Sequence, residues 1–213
     1  MTIAVKICGL STTEAVAAAV DGGAAMVGFV FFPPSPRALN PDQLADLVVG
    51  VPENIVRVGL FVNASDDEID AVVSTGGLDM LQLHGGETPD HVSALKTRFG
   101  LPVMKALAIS GPQDLDAARA YEPVVDRLLF DARPPKGATR PGGNALAFDW
   151  QLMAGQSWAV PWLLAGGLSP ENLAQAVPTS GAAAVDVSSG VEDAPGVKNV
   201  SKIRQFLRLA ASL

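Results

Sequence analysis

Short apolar runs and amphipathic stretches alternate along the whole chain. The apolar runs have strand length and are rich in β-branched residues, whereas the amphipathic stretches repeat at the three- and four-residue spacing of a helix face. This alternation predicts a parallel sheet covered by helices. The predicted strands are residues 3–7, 26–31, 55–61, 79–83, 102–107, 126–130, 160–164 and 182–187. The predicted helices are residues 12–21, 41–49, 67–75, 89–98, 113–120, 170–177 and 199–211.

Eight strands alternating with helices predict an α/β protein of one domain, residues 1–213, folded as a single (β/α)8 TIM barrel. Asn40-Pro41 and Ser169-Pro170 are typical helix starts, and Gly22-Gly23 is a typical helix end. The alternative is an open doubly wound sheet, which shows the same alternation. The chain lacks a Gly-x-Gly-x-x-Gly motif after the first strand, which favours the barrel.

Composition narrows the classes of function. Hydrophobic residues make up 48% of the chain and charged residues 17%, which excludes a disordered protein. The net charge of −7 argues against nucleic acid as a partner, and the sequence has neither a polybasic patch nor an apolar run of membrane-spanning length. One cysteine cannot form an internal disulfide, and the first residues lack the layout of a signal peptide. We therefore expect a cytoplasmic protein.

The ends of the first and sixth predicted strands carry groups that can move protons. Cys8 follows the first strand and Asp131 the sixth, and both should open onto the face where such barrels keep their chemistry. Lys6 lies on the same side of its strand as Cys8, so we expect its charge to lower the pKa of the thiol. A thiolate base and a carboxylic acid would form an acid–base pair. Cys8 as a small buried hydrophobic residue and Asp131 as a turn cap are the alternatives.

Turns rich in glycine and serine follow the last two predicted strands. Many barrels of this kind bind a phosphate at these two positions, where backbone N–H groups can approach an anion. Turn geometry without a ligand is the alternative. The residues expected to bind phosphate are Gly166, Gly167, Ser188, Ser189 and Gly190.

Three further side chains are candidates for substrate binding. Arg37, on a proline-rich loop, suits a substrate carboxylate, although a solvated surface arginine is the alternative. His84 ends the fourth strand and could instead be a hydrogen-bonded structural histidine. Asp186 shares a strand face with Ser188 and could reach substrate hydroxyls or Lys6. Two histidines and one cysteine form no metal-binding spacing, so we expect neither a metal nor a cofactor.

Segments spread over almost the whole chain resemble the phosphoribosylanthranilate isomerase family of tryptophan biosynthesis in their order and spacing. They are Lys6-Ile7-Cys8-Gly9-Leu10, Val27-Gly28-Phe29-Val30-Phe31, Ser35-Pro36-Arg37, Leu60-Phe61-Val62-Asn63, Gln82-Leu83-His84-Gly85, Phe148-Asp149-Trp150, Leu164-Ala165-Gly166-Gly167-Leu168 with Pro170-Glu171-Asn172, and Val185 to Glu192. The resemblance implies a TIM barrel and a cofactor-free Amadori rearrangement of N-(5-phosphoribosyl)anthranilate. The implied product is 1-(o-carboxyphenylamino)-1-deoxyribulose 5-phosphate.

The resemblance also implies a role for each candidate residue. Asp131 would be the general acid that protonates the ring oxygen, and Cys8 the general base that removes the C2′ proton from the Schiff-base intermediate. Arg37 would hold the anthranilate carboxylate, and the two late turns would hold the 5′-phosphate. The partner is then this small phosphosugar–anthranilate substrate, with neither nucleic acid nor membrane, and the active form is a monomer or a homodimer.

One segment departs from the family pattern, in which Gly-Gly-Thr-Gly precedes Phe-Asp-Trp. Here Gly142-Gly143 is followed by Asn144-Ala145. We expect the loop over residues 131–148 either to close differently or to contact the phosphate through Gly143 and Asn144, with the type of reaction unchanged.

Three other functions stay open from the sequence. The related isomerase of histidine biosynthesis is expected to have paired strand-end aspartates, the first standing where this chain has Cys8. A phosphate-binding barrel without catalysis would use the same late turns. A redox-sensing thiol protein would need a resolving cysteine, which the chain lacks.

Overall fold

A computed structural model describes residues 2–134, 137, 141–143 and 147–213. Eight parallel strands form a closed barrel in chain order, and β8 pairs with β1 to complete it. The predicted (β/α)8 barrel is therefore confirmed, and the open doubly wound sheet is excluded. The strands are β1 (Ala4–Cys8), β2 (Met26–Phe31), β3 (Val56–Phe61), β4 (Met80–Leu83), β5 (Val103–Ile109), β6 (Arg127–Ala132), β7 (Trp162–Leu164) and β8 (Ala184–Val187).

Helices cover the outside of the barrel. In the described residues they are α1 (Thr13–Asp21), α2 (Pro41–Val48), α3 (Asp66–Val73), α4 (Pro89–Phe99), α5 (Pro112–Ala118), α6 (Leu173–Ser180) and α7 (Val200–Ala211). The described part of the β6–β7 connection has one turn of 3₁₀ helix, Trp150–Met153. Within those same parts of the chain, no helix is both long enough and apolar enough to cross a membrane.

Two features differ most from the sequence prediction, whereas the other element ends shift by at most two residues. An antiparallel hairpin, β9 (Glu192–Ala194) with β10 (Val197–Lys198), follows β8 and was not predicted. The helix predicted over residues 170–177 is wrong at both ends, since α6 begins at Leu173 and ends at Ser180. The Asn172 side chain accepts a hydrogen bond from the Ser169 N–H and donates one to the Gly167 carbonyl, each 2.8 Å long. These bonds hold the residues before Leu173 as a turn.

Two apolar layers follow from the alternation of side chains along the strands. Outward-facing residues pack beneath the helices, as Val27 and Phe130 do. Inward-facing residues, among them Met26, Met80 and Leu129, fill the barrel interior. Positions two residues further along each strand also face inward, and they lie at the carboxyl end of the barrel. The polar groups of the site therefore stand on an apolar base.

A buried ion pair ties β5 to the loop after β4. Lys105 Nζ lies 2.7 Å from Glu87 Oε2 and also donates to the carbonyls of Leu83 and Gly85. Burial works against the charge of the Glu87 carboxyl, but the Lys105 ammonium and backbone N–H donors outweigh it and hold its pKa below the ordinary value. Glu87 also accepts from the Asn63 N–H, so one pair fixes two loops at the rim of the barrel.

We predict that Lys105→Met lowers the free energy of unfolding by roughly 3–5 kcal/mol, because it leaves the Glu87 carboxylate buried without its partner. Urea unfolding would measure the change. Lys96→Met is the matched control, since Lys96 pairs with Asp126 at the surface and should contribute less than about 1 kcal/mol. Equal losses in the two variants would contradict this account.

Candidate active site

A cleft of about 490 Å³ opens at the carboxyl ends of the barrel strands. Its lining brings together the two predicted proton-transfer residues and the three predicted substrate-binding residues. These are Cys8, Asp131, Arg37, His84 and Asp186. These five residues come from different parts of the chain. They share one cleft because the closed barrel turns the carboxyl ends of all its strands, and the loops that follow them, to one face.

Cys8 lies buried above an ion pair that joins β1 to β8. Lys6 Nζ is 2.8 Å from Asp186 Oδ1, and Lys6 is wholly buried. Gly28, on β2, makes room for this arrangement: a Cβ atom there would lie 3.0 Å from both Cys8 Sγ and Lys6 Nζ. The ammonium and the thiol are therefore neighbours on the floor of the cleft.

The expectation that Lys6 lowers the pKa of the Cys8 thiol is wrong as a net statement. Burial raises the pKa of the thiol by more than the Lys6 charge lowers it, and the Asp186 carboxylate raises the pKa further. Burial works against the charge of Lys6, but Asp186 and Cys8 together outweigh it and raise the pKa of the ammonium, so Lys6 stays charged. The main electrostatic partner of the Lys6 ammonium is thus the Asp186 carboxylate, and the Cys8 sulfur is the weaker one.

Asp131 is the second-last residue of β6, at the carboxyl end of the strand. Its Oδ1 atom accepts a hydrogen bond of 2.8 Å from the Ala132 N–H, and its Oδ2 atom lies 3.4 Å from His84 Nε2. A Cβ atom on Gly166 would lie 2.6 Å from the Ala132 nitrogen, so this glycine lets the turn after β7 approach the carboxyl group. His84 is thereby placed as a partner of Asp131 rather than as an isolated structural histidine.

The turns after β7 and β8 enclose a second cavity, which adjoins the cleft. Gly166, Gly167, Ser188 and Ser189 line it, together with Asp131 and Asp186. Gly190, predicted with them, lies instead where the turns meet: a Cβ atom there would be 1.9 Å from the Leu168 carbonyl oxygen. Its role is to let the two turns pack together. Four of the five predicted phosphate residues thus line one polar cavity.

Arg37 is buried and is held by a residue that the sequence analysis did not single out. Its Nε and Nη2 atoms each donate a 2.7 Å hydrogen bond to the Glu192 carboxylate. The remaining nitrogen, Nη1, lies beside Gly143, where a Cβ atom would be 2.7 Å away. Glu192 therefore fixes the plane of the guanidinium and leaves its Nη1 edge toward the cleft.

Lys198, on β10, joins this arginine pair to the second cavity. Its Nζ atom lies 2.7 Å from Glu192 Oε1 and 2.9 Å from the Ser188 carbonyl oxygen. Burial lowers the pKa of the ammonium, and Glu192 offsets part of that effect. Glu192 and Lys198 both belong to the hairpin that the sequence did not predict. The one sequence signal for it was Glu192, the last residue of the segment Val185 to Glu192 that resembles the family.

The described residues 141–143 of the loop that departs from the family pattern lie at the edge of both cavities. Pro141, Gly142 and Gly143 line the cleft, and a Cβ atom on Gly142 would lie 2.6 Å from Asp131 Oδ2. Gly143 also lines the second cavity. The expected contact through Asn144 lies outside the described residues, as do Pro135, Lys136 and Arg140.

Comparison with known proteins agrees with the resemblance. The family model described as N-(5′-phosphoribosyl)anthranilate isomerase matches residues 5–208. The N-(5′-phosphoribosyl)anthranilate isomerase of Paramagnetospirillum magneticum is 56% identical over 210 residues, which are 99% of this chain and 98% of the relative.

Solved structures give the same result. The phosphoribosyl anthranilate isomerase of Thermotoga maritima has a TM-score of 0.88 and 35% identity, covering 99% of this chain and 100% of that one. Another such isomerase, in complex with reduced 1-(o-carboxyphenylamino)-1-deoxyribulose 5-phosphate, has a TM-score of 0.84 and 34% identity, with coverage of 99% and 100%. The chain therefore belongs to the N-(5′-phosphoribosyl)anthranilate isomerase family.

Proposed function

We propose that this chain carries out the isomerase step of tryptophan biosynthesis with Asp131 as general acid and Cys8 as general base. The observation that carries the proposal is that these two groups line one cleft from β6 and β1, beside a polar cavity of glycines and serines. The cleft supplies a proton donor and an acceptor for the sugar, and the cavity supplies N–H and hydroxyl donors for an anion.

Ring opening is the first chemical step. Asp131 gives its proton to the ribose ring oxygen as the C1′–O bond breaks, and the nitrogen lone pair forms the C1′=N bond of the Schiff base. The Ala132 N–H bonded to Oδ1 favours the carboxylate that Asp131 becomes. His84, 3.4 Å from Oδ2, orients the same group.

Proton abstraction is the second step. Cys8 removes the C2′ proton, the electron pair forms a C1′=C2′ bond, and the C=N pair returns to nitrogen. The resulting enolamine then tautomerises to the 2′-ketone. Because the pKa of the Cys8 thiol is raised, the thiolate is a strong base once formed, and the adjacent Lys6 ammonium stabilises its charge.

The two ends of the substrate are held on either side of these groups. The turns after β7 and β8 bind the 5′-phosphate through Gly166, Gly167, Ser188 and Ser189. Arg37 binds the anthranilate carboxylate through Nη1, since Glu192 occupies Nε and Nη2. Asp186 binds Lys6 through Oδ1 and lines both cavities, which supports a contact between its Oδ2 atom and the sugar.

The proposal includes a cytoplasmic location, supported by the need to keep the single thiol reduced if it is to act as a base. The number of chains in the active form stays a prediction, either a monomer or a homodimer. A non-catalytic phosphate-binding barrel, which the sequence left open, is not the function of the isomerase family to which the chain belongs, and the variants below test this directly.

We expect Cys8→Ala and Asp131→Asn each to lower kcat by at least ~10²-fold, because each removes one proton-transfer group. Substrate fluorescence, followed with freshly made phosphoribosylanthranilate and corrected for spontaneous decay, measures the rate. Circular dichroism would check that the fold is unchanged. A variant with near-wild-type turnover would remove that residue from the mechanism, and wild-type protein without turnover would favour the non-catalytic barrel.

The Cys8 thiol should titrate above its ordinary pKa of about 8.5, because burial disfavours the thiolate. Ultraviolet absorbance of the thiolate reports this group alone when it is taken as the difference between the wild-type protein and Cys8→Ala, because the contribution of Tyr121 then cancels. The value should return to the ordinary one in urea. If Cys8 is the base, kcat/KM should also rise with pH through the titration of the thiol. A folded-state pKa below the ordinary value would refute the dominance of burial.

Arg37→Lys should raise KM roughly tenfold with a smaller change in kcat, because an ammonium cannot reproduce the two-bonded guanidinium geometry that orients Nη1. Arg57→Lys is the matched control: Arg57 forms the same two-bonded pair with Asp79, away from the cleft. Steady-state kinetics of both variants would measure the difference. An unchanged KM in Arg37→Lys would show that Arg37 does not hold the carboxylate.

A further inference from the structure

Gln82 lines the cleft and has no role in the mechanism proposed for Cys8 and Asp131. It occupies β4 between Met80, which packs inside the barrel, and His84, which lines the cleft. Alternation along the strand turns all three side chains inward. In the register of the barrel, Gln82 stands between Leu60 on β3 and Met104 on β5. It therefore places one carboxamide among apolar neighbours.

The carboxamide is buried without being satisfied. Gln82 is 1% exposed, and its Oε1 atom has no hydrogen-bond partner among the residues that the structure describes. The other such atoms found there are the indole nitrogens of Trp150 and Trp158, which belong to the outer core. A buried acceptor without a donor destabilises the folded state, whereas methionine or leucine would fill the same space at no such cost.

We propose that the Gln82 carboxamide is a binding group for a hydroxyl of the sugar portion of the substrate. The inference rests on the proposed function and adds to it a neutral hydrogen-bonding group. An oxygen acceptor matches a hydroxyl donor, and a neutral amide suits neither the phosphate nor the carboxylate, each of which has its own polar site. Gln82 shares the cleft with Cys8 and Asp131, which act on sugar atoms, so the sugar is the part of the substrate within its reach.

Binding of reduced 1-(o-carboxyphenylamino)-1-deoxyribulose 5-phosphate and of inorganic phosphate, each measured by calorimetry, tests the proposal. Gln82→Met should weaken the first roughly ten- to hundredfold, since a hydrogen bond to a sugar hydroxyl is lost in a buried site. Phosphate contains no sugar, so its Kd should not change. Gln82→Leu, a second apolar replacement, should behave in the same way.

Urea unfolding separates binding from structure. The midpoint should stay the same or rise in Gln82→Met, because the unsatisfied acceptor is removed. Met80→Leu, two residues earlier on the same face and outside the cleft lining, is the matched control and should leave both Kd values unchanged.

Unchanged binding of the reduced sugar compound by both Gln82 variants would overturn the proposal, as would an equal loss of phosphate binding. Failure of the proposed function looks different. In that case the wild-type protein would neither turn over phosphoribosylanthranilate nor bind the reduced compound, whatever stands at position 82.

Discussion

The buried ion pair between Lys6 and Asp186 is the interaction on which the rest of the site depends. The two residues are register partners on β1 and β8, so the pair lies at the seam where the barrel closes. A lone charge at this depth would be strongly unfavourable, and each partner is stable there because of the other. Cys8 stands directly above this pair, which explains why its surroundings combine low solvation with nearby charge.

In this arrangement the Cys8 thiol ionises less readily than an ordinary cysteine, and its thiolate, once formed, is a stronger base. Desolvation and Asp186 act against the thiolate, while Lys6 acts for it, and the first two prevail. Asp131 stands in a different setting, with a backbone N–H on one oxygen and His84 near the other. The two groups proposed to exchange protons with the sugar thus have their properties set by separate strands, which is the usual advantage of a barrel whose loops can vary independently.

A second ionic network joins the groups proposed to bind the two ends of the substrate. Glu192 holds Arg37 by two hydrogen bonds, and Lys198 holds both Glu192 and the backbone of the serine turn after β8. The short β9–β10 hairpin therefore connects the group proposed for the carboxylate with the turn proposed for the phosphate. Because all these side chains are buried, the geometry of the two proposed anion sites is set before a ligand arrives.

The sequence by itself determined the barrel, its eight strands and the strand-end positions of Cys8 and Asp131, because periodicity and chain order fix which residues reach the carboxyl face. It could not show the net effect on the pKa of the Cys8 thiol, since that depends first on how deeply the sulfur is buried and then on charges such as that of Asp186, which lies 178 positions later in the chain. Nor could it show that Glu192 binds Arg37 through two hydrogen bonds, or that Gln82 Oε1 has no partner in the part of the chain that the structure describes. These depend on which side chains meet after β8 closes against β1, and only the tertiary structure decides that.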